Sequence, residues 1–174
     1  ASLFLARPEK HNALSQDMID ALRETTARIA ADDQIRVVVL TGTGPSFCAG
    51  GDLGWMRDQM AGDAAMKRTA AKSIAEMLGA LNTLPQPVIG RIQGNAFGGG
   101  VGMACVCDIA VAADHVKFGL TETKLGLIPA TIGPYVLARM GAAHACRVFM
   151  SGRVFGADAA ARLGIIAKAV PADA

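Results

Sequence analysis

Between Ser15 and Ala31 the buried-type side chains recur every three or four residues, at Met18, Ile19, Leu22, Thr26 and Ile29. This is the period of a helix with one apolar face, and the Ser15 hydroxyl stands where it can cap the first turn. Asp32-Asp33 ends the helix, and the pattern then changes. Val37-Val38-Val39-Leu40 is an unbroken run, mostly β-branched, of the kind found in strands buried on both faces. Pro87-Val88-Ile89 and Asp108 to Ala112 read as further buried strands. Leu3-Phe4-Leu5 opens the chain as a strand, and Ile165 to Val170 closes it as another. Helices are predicted from Gly54 through Met60, from Asp63 to Leu84 with Pro85 and Pro87 as the stop, from Ile132 to Met140, within Ala143 to Met150, and from Ala157 to Leu163. Buried strands alternating with helices predict a layered α/β fold, and no linker or low-complexity segment divides the chain.

The chain is organised around Gln93 to Ala104, Gln-Gly-Asn-Ala-Phe-Gly-Gly-Gly-Val-Gly-Met-Ala. Gly98-Gly99-Gly100 falls where a loop turns into a helix without polar side chains. With no Cβ at this entry turn, backbone N–H groups can face a ligand with the positive end of the helix dipole behind them. Such a site suits a phosphate, a carboxylate or a developing oxyanion. The same glycines would also let a helix pack closely on a sheet, and the stretch alone does not choose between these roles. A second loop of small residues, Ser46-Phe47-Cys48-Ala49-Gly50-Gly51-Asp52-Leu53, also follows a buried strand, where open α/β sheets tend to bind ligands. Thr41-Gly42-Thr43-Gly44 fails as a dinucleotide fingerprint because Phe47 stands at the third glycine position. No Walker-type Gly-Lys-Ser/Thr and no Gly-x-Ser-x-Gly elbow occurs.

Composition narrows the function classes. Of 174 residues, 52% are hydrophobic and only 18% charged, which suits a large core or a subunit that buries surface against another. A net charge of +2 without any basic block gives no electrostatic case for nucleic acid or a membrane surface. No uncharged apolar run is long enough to span a membrane, and Ala1 to Ala6 lacks the charged start of a signal peptide. Cys48, Cys105, Cys107 and Cys146 form no Cys-x-x-Cys pair and read as free thiols of a reducing compartment, so a cytoplasmic location is expected. His11, His115 and His144 stand too far apart for ligand spacing, and no metal is expected.

Several segments, in order and in register, resemble the crotonase (enoyl-CoA hydratase/isomerase) superfamily. Phe47-Cys48-Ala49-Gly50-Gly51-Asp52-Leu53 is similar to its Phe-Ser-Ala-Gly-Ala-Asp-Leu/Ile signature, and Gly94-Asn95-Ala96-Phe97-Gly98-Gly99-Gly100 to its Gly-x-Ala-x-Gly-Gly-Gly signature. Cys107 to Ala113 followed by Phe118-Gly119, and Arg7-Pro8 with Asn12-Ala13-Leu14, fit as well. The resemblance implies a crotonase-type α/β spiral of repeated ββα units. Residues 1–174 would be its core domain, incomplete at the C-terminal end, where family members add helices that cover the active site and build a trimer, often paired into a hexamer. It implies acyl thioesters of coenzyme A as substrates, CoA entering as part of the substrate with no bound cofactor.

Carried over by position, the resemblance places two thioester-binding N–H groups on Gly51 and Gly99 and a proton-transferring carboxyl on Glu122. Ala49, Asp52 and Leu53 would lie along the adenine and pantetheine, with Gly98 beside the thioester. Trp55, Met56, Met60 and Ile132 are candidates for the acyl pocket. Arg7, Lys10 and Arg57 could meet CoA phosphates, and Lys124 or Arg91 a distal carboxylate, although surface charge is the ordinary reading of each. Many hydratases of the family carry a second glutamate three residues after the Gly99 position, where this chain has Gly102. Asp52-Leu53-Gly54-Trp55-Met56, Gly102 and Leu127 to Val136 resemble a subset, the bacterial 3-methylglutaconyl-CoA and isohexenylglutaconyl-CoA hydratases. The expectation is therefore an enoyl-CoA hydratase with one glutamate. A Δ3,Δ2-enoyl-CoA isomerase using the same glutamate and a non-catalytic CoA-binding subunit are the alternatives.

Overall fold

The computed structural model describes residues 1–173. Its architecture is a mixed α/β spiral built on two sheets. The first sheet contains β1 (Ser2–Leu5), β2 (Val38–Gly42), β4 (Val88–Ile92), β6 (Ile109–Ala113) and β9 (Lys168–Val170), in that spatial order and all parallel. The second contains β3 (Ser46–Cys48), β5 (Asn95–Phe97), β7 (Lys117–Gly119) and β8 (Val154–Gly156), with β3, β5 and β7 parallel and β8 antiparallel at the edge. Each coil of the spiral runs from a strand of the first sheet to a strand of the second and then into helix. β2 and β3 lead to α2 (Leu53–Ala61) and α3 (Ala64–Asn82). β4 and β5 lead to α4 (Gly99–Val106), and β6 and β7 to α5 (Gly133–Met140) and α6 (Ala142–Ser151). This is the repeat of ββα units that the resemblance implied. α7 (Ala157–Arg162) precedes β9.

The first helix, α1 (Gln16–Ala30), behaves as its periodicity requires. Met18, Ile19, Leu22, Thr26 and Ile29 are its buried residues, and Ser15 Oγ accepts from the Met18 N–H at 3.4 Å. α4 is buried along nearly its whole length, from Gly100 to Val106. A helix inside the core needs its end groups satisfied. Arg139 on α5 supplies this, donating Nε to the Cys105 carbonyl at 3.0 Å and Nη2 to the Cys107 carbonyl. The cation also opposes the negative end of the α4 dipole.

Three expectations need correction. Ser46–Cys48, read from sequence as part of a loop, is strand β3, and β5, β7 and β8 have no counterpart in the hydropathy pattern. Each is only three residues long, too short to show a period of two. Ile165 to Val170 is a strand only from Lys168, because Gly164 takes a left-handed φ of 79° and the next residues form a turn. All four cysteines are free, as expected, with Cys48, Cys105 and Cys107 buried and Cys146 exposed. No helix among the described residues is long and apolar enough to cross a membrane.

Candidate active site

The second sheet explains why distant parts of the sequence meet. Gly50-Gly51 follows β3, Gly98-Gly99 follows β5, and Glu122 opens the 3-10 turn Glu122–Leu125 after β7. These strands are parallel neighbours, spaced about 4.8 Å apart in a sheet, so their C-terminal ends open side by side. One cavity of about 180 Å³ is lined by Gly51, Gly99 and Glu122 together with Leu14, Trp55 and Ile132 among others.

The first loop is held by a backbone clamp that leaves one donor free. Leu14 forms a parallel bridge with Gly51. The Leu14 N–H donates to the Gly50 carbonyl at 2.7 Å, the Asp52 N–H to the Leu14 carbonyl at 2.9 Å, and the Ala49 N–H to the His11 carbonyl at 3.0 Å. The Gly50 N–H is taken by Cys48 Sγ at 3.4 Å. Gly51's own N–H has no acceptor among the described residues. Asp52 anchors the far side of the loop. Its Oδ1 accepts from the N–H groups of Gly54 (3.0 Å) and Trp55 (3.2 Å), capping α2, and its Oδ2 meets Arg7 Nη2 at 3.4 Å. The Trp55 N–H, then that of Gly54 and the Arg7 guanidinium, hold the Asp52 carboxyl below its ordinary value of 3.8, against a smaller effect of burial. Burial pushes the Cys48 thiol up to about 12, so it serves as packing rather than as a nucleophile.

The second loop supplies the other donor. Gly98 has a φ of 48° and a ψ of −114°, a combination that suits glycine, and its N–H donates to the Gly119 carbonyl at 3.0 Å. Gly99 is then the first residue of α4. Its N–H is one of the orphan donors of a helix N-terminus, with the helix dipole behind it.

Glu122 faces these donors. A Cβ on Gly98 would fall 3.2 Å from Glu122 Oε1, so the carboxyl lies directly over the glycine loop. Oε2 is buried without any hydrogen-bond partner. Removal from water is the main reason that the carboxyl is raised above its ordinary value of 4.5. Position 102 has no room for a second carboxyl. A Cβ there would fall 2.8 Å from Ile132 Cγ2 and 3.0 Å from Ile132 Cβ. Ile132, 3% exposed, fills that space. Gly51 stands in a similar relation to Met56, whose Sδ would be 2.8 Å from a Cβ.

Two further cavities share lining residues with the central one. On one side, about 390 Å³ is lined by Lys10, His11, Ala49, Gly51, Asp52 and Leu53 among others, so Gly51 borders both spaces. On the other side, about 480 Å³ shares Trp55, Met56, Ile74, Leu127 and Thr131 with the centre. Apart from the candidate cations, every residue expected at the site lines one of these three cavities or the glycine loop. Of the candidate cations, Lys10 lines the first annex, Arg7 is paired with Asp52, and Arg57 is exposed on α2. Arg91 is displaced. It borders a separate cavity with Val39, Ile89 and Val111, because its place in β4 turns it to the other face of the first sheet. Lys124 does not line the central space either. Lys67, which the sequence did not single out, lines the second annex. The signal for it was the spacing Lys67, Ala70, Ala71, Ile74, which puts all four on one face of α3.

A space bordered by two unpaired N–H groups and one desolvated carboxyl can stabilise an oxyanion and move a proton. The comparisons with known proteins agree with this class. The enoyl-CoA hydratase/isomerase family matches residues 1–174, and the chain belongs to that family. It is 35% identical to the enoyl-CoA hydratase AKT6-1 of Alternaria alternata over 164 residues, which are 94% of this chain and 53% of the fungal protein. Among solved structures, an enoyl-CoA hydratase from Shewanella pealeana superposes with a TM-score of 0.95 at 37% identity, covering 97% of this chain and 64% of that one. Pseudomonas aeruginosa AtuE gives a TM-score of 0.95 at 36% identity, with 98% and 66% covered. The fold is therefore that of crotonase. The chain spans about half the length of the Alternaria relatives it matches.

Proposed function

We propose that this chain carries the catalytic centre of an enoyl-CoA hydratase that works with one carboxyl. The observation behind this reading is the single cavity bordered by Gly51, Gly99 and Glu122, with Ile132 closing the place of a second acid. The thioester oxygen accepts from the Gly51 and Gly99 N–H groups, and these stabilise the negative charge that grows on it as water adds at Cβ. Each such donor is typically worth about 3–4 kcal/mol of barrier. Ionised Glu122 takes a proton from the attacking water, whose oxygen bonds to Cβ. The same carboxyl then delivers a proton to Cα on the same face and ends ionised again. Its raised pKa supports this double duty: desolvation makes the ionised carboxyl a stronger base toward water, and its shift toward neutral pH suits it to hold the proton until it is passed to Cα. Coenzyme A enters as part of the substrate, along the annex bordered by Ala49, Asp52 and Leu53. The resemblance of residues 127–136 makes 3-methylglutaconyl-CoA the first substrate to test. A homotrimer, or a hexamer made of two, belongs to the same proposal; the exposed Ile128 and Met150 are apolar surface of the kind an interface covers.

Glu122 as the sole carboxyl of the cavity also favours a second reading, an isomerase that moves a proton from Cγ to Cα with one base. Two ultraviolet assays on the full-length protein separate them, with Glu122→Gln as control. Loss of the conjugated enoyl absorbance of 3-methylglutaconyl-CoA, abolished by the substitution, supports the hydratase. A gain of that absorbance from a 3-enoyl-CoA, with the first cuvette unchanged, makes it an isomerase. Silence in both would count against both readings for these two substrates and favour another acyl-CoA reaction or a CoA-binding role.

A further inference from the structure

The annex beyond the catalytic cavity is larger than the cavity itself, at about 480 Å³ against about 180 Å³. Its walls are almost wholly apolar: Trp55, Met56 and Met60 from α2, Ala70, Ala71 and Ile74 from α3, and Leu127. It follows α3 away from the reaction centre. Ile74 borders both spaces, whereas Ala71, Ala70 and then Lys67 border only the annex. Seven residues of helix separate Ile74 from Lys67, about 10 Å along the axis. The two alanines in between, with their small side chains, leave room for a chain along this face of α3.

Among the described residues Lys67 is the only charged one lining the groove, and no acidic side chain borders it. Among the described residues Lys67 has no ion pair, in contrast to Lys72 one turn further on, which meets Glu76 at 3.4 Å. A cation without a partner at the far end of an apolar groove is suited to an anionic group carried on the end of an apolar chain. An ammonium there would meet the charge while its methylene stem continues the groove wall.

We propose that Lys67 is a specificity-determining residue, selecting acyl-CoA substrates of medium chain length that end in a carboxylate. This rests on the reading of the site as an acyl-CoA enzyme and extends it to the acyl chain. 3-Methylglutaconyl-CoA carries its carboxylate close to the thioester; the length of the groove favours chains that hold it farther out.

The test separates binding from turnover. Calorimetry on the full-length protein would compare two saturated, unreactive thioesters of equal length, the mono-CoA ester of decanedioic acid and decanoyl-CoA. Wild type should bind the first about twofold to fivefold more tightly, the gain expected of a charge-assisted contact made by an exposed lysine. Lys67→Met should remove that preference while leaving decanoyl-CoA unchanged, and Lys67→Arg should retain most of it. Raised salt should narrow the wild-type gap. Equal affinity of wild type for both thioesters, or equal weakening of both by Lys67→Met, would overturn the proposal. Because neither ligand reacts, these outcomes stand apart from the hydratase reading. That reading is judged instead by turnover of the mono-CoA ester of 2-decenedioic acid, and it fails if binding is selective but no water is added.

Discussion

Gly102 gives a sharp test of how the site is packed. It lies within α4, where replacing glycine by alanine should gain about 1 kcal/mol from helix propensity alone. The structure predicts the opposite sign. The added Cβ would sit 2.8 Å from Ile132 Cγ2 and 3.0 Å from Ile132 Cβ, with Leu78 Cδ1 at 3.5 Å. Ile132 is β-branched and 3% exposed, so it cannot swing clear without moving its neighbours. Overpacking of this kind costs about 1–3 kcal/mol, which outweighs the propensity gain. A Cβ at 2.8 Å from a branched side chain puts the cost in the upper part of that range, about 2–3 kcal/mol, so the net loss for Gly102→Ala should be about 1–2 kcal/mol. For a chain of this size that lowers Tm by about 2–8 °C at fixed protein concentration. Ile132→Leu moves the branch from Cβ to Cγ and removes the closest atom. The double variant should therefore be less destabilised than the sum of the singles, by about 1 kcal/mol in a double-mutant cycle. Denaturant melts of the four proteins provide the measurement. A Gly102→Ala variant as stable as wild type or more so, with no coupling to Ile132, would refute the claim that Ile132 occupies the second-acid position.

Three further outcomes follow from the same geometry. Glu122 is raised above 4.5 in the folded chain, so the folded state holds its proton more tightly than the unfolded, and ionisation costs stability as pH rises from 4.5 through the raised value. Glu122→Gln does not titrate; its stability relative to wild type should increase as pH rises from 4.5 through the raised value, while hydration falls by about 10²–10⁴-fold. Asp52 has the opposite sign. Its carboxyl is held below 3.8, so its contribution is present above that pH and fades as pH falls through the lowered value. Asp52→Ala should cost about 1 kcal/mol at neutral pH through the lost cap, and the gap to wild type should shrink in acid melts. Gly51→Ala should fold and keep kcat/KM within about threefold, because its Cβ meets the flexible end of Met56 and the N–H is retained; a hundredfold loss would mean that this loop cannot yield.

Much of this was legible in the sequence because the signals were local. The α1 stripe and its Ser15 cap, the β-branched run of β2 and the glycines opening α4 each follow from a few adjacent residues. The meeting of Gly51, Gly99 and Glu122 was not local. It depends on β3, β5 and β7, three-residue strands whose patterns carry no period, and only the resemblance to a family anticipated it. Partners across the fold were also invisible. Nothing near Gly102 in the sequence indicates that Ile132, thirty residues on, fills its side-chain space. Arg91 and Lys67 show the same limit for charge. Composition offers candidates, but the face of β4 or α3 on which each stands decides which of them borders the site.

The most direct test is a crystal structure of the full-length protein with an unreactive acyl-CoA bound. The account predicts the thioester oxygen within about 2.7–3.1 Å of both the Gly51 and Gly99 nitrogens, with the Glu122 carboxyl facing Cα and Cβ. A thioester held elsewhere, or a Glu122 turned away from it with Gly51 and Gly99 bonded to protein, would contradict the account.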